Sequence, residues 1–237
     1  MKKQVYEIKI KVFLLQNINK CDVAKEIANY IDYGMSSDEK FLAMHKDKAY
    51  KPYTFNYLYP INIEEKEYKK GNIYSVQIRT IDFELAKFFN EKLVNMYTET
   101  IKGLTSEIKI IPRKPIEKIY SIVPVLCKND KGYWRNCLSL EQFEKRLLDN
   151  IIKKYNYIYE SKINEDFIFY NKLEFKNKKP IAINYKDVRL LGDKLELTID
   201  SNPLSQELAY LSLAVGTLES NSRGFGFMGY RWIDERR

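Results

Sequence analysis

The feature that most constrains this chain is how its apolar residues are spaced. Val5, Glu7, Lys9 and Lys11 alternate with Tyr6, Ile8, Ile10 and Val12, the period-two pattern of a strand with one buried face. Beyond it the period lengthens. Val23, Ile27, Tyr30 and Ile31 fall on one face at helical spacing, with Asn19 and Asp22 as cap-like residues ahead of them. Ser36 and Glu39 have the spacing of a capping box that would open a short second helix, DEKFLAMHK, carrying His45. Strand patterns return at 51–60 and 73–81. A helix with Leu85, Phe88, Phe89, Leu93 and Met96 inside follows, and a strand at 107–111 closes the unit.

Strand, helix, strand, strand, helix, strand is the split βαβ order of a ferredoxin-like fold. Pro112 and Pro115 bracket Arg113 and Lys114 in a segment that favours neither helix nor sheet interior, which makes it the linker candidate. The remainder repeats the logic. A strand is expected at 118–126, then a helix opened by Ser139 and Gln142 with Leu140, Phe143, Leu147 and Ile151 inside. Strands are expected at 167–175 and 188–199. Asn202 and Pro203 supply an N-cap and a first-turn proline for a helix striped by Leu204, Leu208, Leu211 and Val215, and a last strand ends near Trp232. The expected class is α+β, with two tandem ferredoxin-like βαββαβ domains built on antiparallel sheets. Residues 1–114 would carry the candidate catalytic groups and 115–237 a glycine-rich loop.

Composition narrows the partners. Forty Lys and Arg against 32 Asp and Glu leave a net charge of +8, which favours a polyanion such as nucleic acid. Cys21, Cys127 and Cys137 form no CxxC pair and are odd in number, so neither a disulfide framework nor a zinc site is expected, and the reading is a reducing, cytoplasmic protein. Lys9 and Lys11 interrupt the apolar N-terminal stretch before a signal sequence forms, and no run is long and apolar enough to span a bilayer.

His45 is the only histidine. A lone histidine on an apolar helix face, here with Phe41 and Leu42, is more often a core residue than a catalyst. Lys46, Lys48 and Lys51 surround it with positive charge that suits a phosphodiester, and imidazole exchanges protons near neutrality. RNA brings its own nucleophile, the 2′-hydroxyl. Cutting it needs a base for that proton, an acid for the 5′-oxygen and cations between them, which histidine, tyrosine and lysine can supply without metal. No clustered carboxylates near a plausible pocket suggest a metal centre, and no G-x-S-x-G elbow suggests a serine hydrolase. No cofactor is expected.

The segment from Gly216 to Phe227 is rich in glycine, which permits positive φ and close approach of a phosphate, or serves as a helix cap and bulge. Its Arg223-Gly224-Phe225-Gly226-Phe227 run also fits an RNA-stacking pattern, although only seven residues follow Tyr230, too few for the rest of an RNA recognition motif.

The succession His45-Lys46, Tyr50-Lys51-Pro52-Tyr53-Thr54-Phe55, then Tyr68, Gly71, Tyr74, Val76 and Ile78-Arg79-Thr80, then the terminal glycine-rich loop, resembles the CRISPR-associated endoribonucleases of the RAMP superfamily that cut precursor crRNA in its repeats. The resemblance extends over essentially the full length. It implies two ferredoxin-like domains and metal-independent cleavage leaving a 2′,3′-cyclic phosphate and a 5′-hydroxyl. It also implies that Tyr30, or else Tyr33, takes the 2′-hydroxyl proton, that His45 protonates the leaving oxygen, and that Lys51 steadies the phosphorane. Arg223, Gly224, Phe225 and Gly226, with Arg113 and Lys114 in a track that also includes Lys109 and Lys118, become the candidate RNA contacts. Leu218, Ser220 and Asn221 stand where such loops usually carry a further glycine and basic residues, which leaves Arg223 as the loop's cation.

CRISPR repeat RNA is the implied partner, with other CRISPR-associated effector subunits as further candidates, no membrane, and a monomer or homodimer. Two other readings fit the same residues: a non-catalytic RAMP protein that holds crRNA, and a module that reads single-stranded RNA by stacking on Phe225 and Phe227.

Overall fold

The computed structural model describes residues 3–47, 49–185 and 188–234. In chain order its elements are β1 (Val5–Leu14), β2 (Ile18–Asn19), α1 (Val23–Met35), α2 (Glu39–Lys46), β3 (Tyr53–Phe55), β4 (Glu67–Tyr68), β5 (Ile73–Thr80), α3 (Phe83–Lys92) and β6 (Ile101–Ile111). After the proline-bounded connection come β7 (Ile116–Ser121), α4 (Leu140–Tyr159), β8 (Tyr170–Phe175), β9 (Ile181–Tyr185), β10 (Val188–Gly192), β11 (Leu195–Ile199), α5 (Pro203–Val215) and β12 (Met228–Trp232).

Two four-stranded antiparallel sheets result, in the orders β3-β5-β1-β6 and β12-β7-β11-β8. Each places the first and third strands of a βαββαβ unit in the middle, which is the ferredoxin-like arrangement expected from the alternating periods. In β1 the residues Ile8, Ile10 and Val12 are buried while Lys9 and Lys11 are exposed, as alternation requires.

Local departures have physical reasons. The 51–60 pattern forms only the three residues of β3, followed by a single bridge from Tyr59 to Ser75. The 188–199 pattern is broken at Gly192, where an added Cβ would lie 2.6 Å from the Val125 carbonyl oxygen. Its first half pairs with β9 as a hairpin, Val188 opposite Tyr185, and that hairpin had no clear signal in the sequence. Strand β6 begins at Ile101, well before the expected 107.

The capping box at Ser139 and Gln142 forms with both of its hydrogen bonds, and Asn202 caps α5 through the Ser205 amide. The box at Ser36 and Glu39 does not form: Asp38 is the N-cap, accepting from the amides of Lys40 and Phe41, and Ser36 ends α1 instead. Asn19 lies in β2, and Asp22 precedes α1 without a side-chain cap bond.

The two halves share apolar and polar contacts. Val5, Ile81 and Ile111 belong to the C-terminal core. The Tyr210 hydroxyl on α5 accepts from the Val5 amide at 3.0 Å and donates to the Ile111 carbonyl at 2.6 Å. Arg79 on β5 pairs with the buried Glu7 at 2.7 Å, donates to the Met228 carbonyl and lies over the Phe227 ring. These contacts fix how the C-terminal glycine-rich loop meets α1 and α2. No helix among the described residues is long and apolar enough to cross a membrane.

Candidate active site

Helix α2 is held at both ends. Asp38 satisfies amides of its first turn, and the Lys51 ammonium donates to the carbonyls of Met44 and Asp47 at its last turn, where helix carbonyls lack intrahelical partners. This fixes His45, partly exposed, against the last turns of α1. There His45 Nδ1 lies 3.1 Å from Asp32 Oδ1. The approach is close but off the N–H direction, so Oδ1 makes no hydrogen bond. The other carboxylate oxygen accepts from the Arg223 guanidinium. Asp32 is therefore the point where the histidine of the N-terminal half and the cation of the C-terminal loop meet.

The loop reaches Asp32 by a left-handed path. Leu218, Ser220, Gly224 and Gly226 all have positive φ, and a 3₁₀ turn over Asn221–Arg223 aims the arginine. Gly224 must be glycine twice over: its φ is 86°, and a Cβ would stand 2.8 Å from Ala24 Cβ and 3.0 Å from the Phe55 ring. Gly226 is as tight, with a Cβ placed 2.2 Å from the Thr217 carbonyl oxygen. Asn221 donates to the carbonyls of Thr217 and Phe225.

Beneath the loop lies a buried cation, Lys154 of α4. Its ammonium donates to Gly216 O at 2.9 Å, Leu218 O at 2.7 Å and Asn221 Oδ1 at 2.7 Å. Burial pushes its pKa well below the ordinary lysine range. Three acceptors around one buried donor make Lys154 the staple that sets the loop's shape.

His45, Lys51 and Arg223 are thus brought together. Lys51 is close enough to Arg223 and Asp32 to feel both charges, although burial is the main cause lowering its pKa. Lys48, the other lysine expected there, lies outside the described residues.

Tyr30 is not brought to this group. It is fully buried, and its hydroxyl donates to the Leu93 carbonyl. Two positions along α1 from Asp32, it points about 200° around the helix from it. Tyr33 is 54% exposed. The tyrosine that does sit beside Asp32, Arg223 and Ser222 is Tyr53, whose phenol is pushed up by burial first. Its hydroxyl therefore stays protonated.

The expected RNA contacts fare unevenly. Phe225 and Phe227 are fully buried, Phe225 in a small core with Ala24, Leu126 and Ile183 at the junction of the halves. Stacking of bases on these rings is ruled out by their packing, and Phe225 is a structural anchor. Gly224 and Gly226 are buried by α1, β3 and the loop itself, so their tight turns serve packing before any phosphate.

Arg113 is spent on Glu207 at 2.6 Å, on the Lys3 carbonyl and on the face of Tyr210. Lys109 pairs with Glu7 at 2.9 Å and Lys118 with Glu196 at 2.8 Å. Of the expected basic track only Lys114 is exposed with no ion pair to a carboxylate among the described residues.

Two residues central to this geometry were missed. Asp32 has no motif, being one acid near the end of a helix. Lys154 did leave a trace, because it occupies an apolar-stripe position of α4 at helical spacing from Leu147 and Ile151. Among the described residues no group of three or more His, Cys, Asp or Glu is placed to hold a metal ion.

Residues 118–230 match the family model of the CRISPR associated protein Cas6, C-terminal. No curated protein sequence matches the chain. Among solved structures the chain is similar to one described as CRISPR associated protein Cas6, with 17% identity, a TM-score of 0.70, and 96% of this chain and 99% of the other covered. It is also similar to an RAMP protein binding different RNA substrates, with 16% identity, a TM-score of 0.69 and coverage of 95% and 99%. A third is Thermus thermophilus Cas6 in a product complex, with 12% identity, a TM-score of 0.62 and coverage of 97% and 100%. The C-terminal half thus matches the Cas6 C-terminal family model over residues 118–230, and the full length carries a tandem ferredoxin-like fold similar to that of the Cas6 and RAMP structures.

Proposed function

We propose that this protein is a metal-independent endoribonuclease that cuts precursor crRNA within CRISPR repeats. The observation that carries the reading is the Asp32 bridge, which joins His45 Nδ1 on one side to Arg223 on the other. With Nδ1 turned to the carboxylate, Nε2 is the ring atom that faces outward to exchange a proton. A fold shared with a protein that binds different RNA substrates and with Cas6 in a product complex supports RNA as the substrate.

In the reaction the 2′-oxygen bonds to phosphorus and the P–O5′ bond breaks. His45 gives its Nε2 proton to the departing 5′-oxygen, and the charge on the phosphorane is met by Lys51, while Arg223 holds Asp32 in place behind the histidine. The products are a 2′,3′-cyclic phosphate and a 5′-hydroxyl. Of the two tyrosines on α1 considered for the 2′-hydroxyl proton, Tyr33 is the one with an exposed side chain, and it takes the place the sequence offered to Tyr30.

The test is incubation of the purified chain with repeat RNA in EDTA, followed by identification of the product ends. Cleavage with a cyclic phosphate end supports the proposal. Tight binding without cleavage would instead make the chain a holder of crRNA, and cleavage lost in EDTA would contradict the metal-independent chemistry.

A further inference from the structure

Strand β6 is an edge strand of the N-terminal sheet. Its first residues are covered, since Gly103 donates to Met96, Thr98 donates to Ile101, and Tyr97 bridges Lys102. From Leu104 to Ile111 no strand or bridge among the described residues pairs with its outer side. Leu104, Ile108 and Ile110 are exposed there, and the tilted rings of Tyr6 and Phe83 lie 5.5 Å apart on the side of the sheet that Ile108 and Ile110 share. Long apolar edges invite another strand, and proteins usually defend them with charge. The charges on this edge, Glu107 and Lys109, have opposite sign and stand two residues apart.

We infer that β6 pairs antiparallel with β6 of a second copy of this chain, about a two-fold axis through Ile108. In that register Glu107 of each copy faces Lys109 of the other, and Ile108 faces Ile108. The pairing continues a pattern already present within one chain, where Glu7 lies opposite Lys109 and Lys9 opposite Glu107. Across the seam the order becomes Glu7, Lys109, then Glu107 and Lys9 of the second copy, with signs alternating at every step. The symmetry-related row alternates likewise.

Shifting the axis to Glu107 or to Lys109 sets like charges directly opposite, which destabilises a pair of strands. Axes between residues would oppose side chains on different faces, which the pleat forbids. Among axes through residues of β6, only the one through Ile108 sets opposite charges of the strand face to face, so the charges favour that register rather than block self-pairing. On the other face Ile110 meets Ser106 and the exposed isoleucines are covered.

The inference does not depend on whether the chain cuts RNA, and it is tested by light scattering of the full chain after size exclusion at several concentrations. The wild type is expected to show a mass rising toward twice that of one chain. Glu107→Lys and Lys109→Glu, each alone, should be monomeric yet still folded by circular dichroism, because each sets like charges opposite one another across the seam, as well as opposite Lys9 or Glu7 within the chain. Mixed in equal amounts they should recover the doubled mass, since the two reversals complement each other; a merely unfolded variant would not. Ile108→Asp should also be monomeric. A wild type that stays at the mass of one chain at all concentrations, or reversals that leave the doubled mass untouched, would overturn the pairing.

Discussion

Asp32 Oδ1 lies 3.1 Å from His45 Nδ1, across the gap between the end of α1 and the end of α2. This carboxylate stands beside the imidazole at ion-pair distance, and its other oxygen accepts from Arg223 of the C-terminal loop. Asp32→Asn keeps the shape and removes the charge. Cleavage under single-turnover conditions should fall roughly 10- to 100-fold, a share of the 10²–10⁴ that a positioned proton-transfer group contributes, with RNA affinity retained.

Arg223 is already neutralised by Asp32, so its alanine variant separates two roles. A cation that contacts RNA phosphate contributes about 0.7 to 0.9 to the slope of log affinity against log salt. Arg223→Ala should lower cleavage yet leave that slope near the wild-type value in filter-binding titrations. A drop of about one unit would mean that the arginine leaves Asp32 to hold a phosphate.

The glycine-rich loop is a packed element, and its substitutions should behave so. Gly224→Ala combines a φ of 86° with contacts of 2.8 Å to Ala24 and 3.0 Å to Phe55, and should cost about 1–3 kcal/mol in urea unfolding. Lys154→Met strands two carbonyls and the Asn221 oxygen, and should cost about 3 kcal/mol.

Much of the fold was legible because its signals are local. Alternation in β1, the Ser139 box of α4 and the Asn202-Pro203 start of α5 each depend on residues a few positions apart. The hairpin of β9 and β10 was not legible, since no turn motif marks it and its pairing is read only once the chain is folded. At the site, His45 stood out by being the sole histidine and Lys51 by its nearness in sequence.

The meeting of His45 with Arg223 depends on residues far apart in the chain, held by Asp32 and by a loop shaped from below by Lys154. The helical period put Tyr30 on the buried face of α1, where it lies; the base role came from the resemblance, which order along the chain alone could not place in space. Phe225 looked like a stacking platform because an aromatic between glycines has the same sequence whether it faces bases or a core.

Strong acid should loosen the joint between the halves. Burial alone would raise the Glu7 pKa, but Arg79 and Lys109 outweigh it and hold it below the ordinary 4.5. The stability this pairing adds is fully present above about pH 4.5 and is lost as pH falls through the lowered folded-state value. Glu7→Gln should therefore be less stable than wild type near neutrality, and the difference should shrink in acid. Unfolding midpoints measured from pH 7 down to pH 3 read it directly.

His45→Ala, assayed for single-turnover cleavage of repeat RNA in EDTA beside a binding titration of the same RNA, tests the central claim most directly. Cleavage is expected to fall roughly 10²–10⁴-fold while affinity stays at the wild-type value. Cleavage that persists at the wild-type rate in the variant would contradict the assignment of proton transfer to His45.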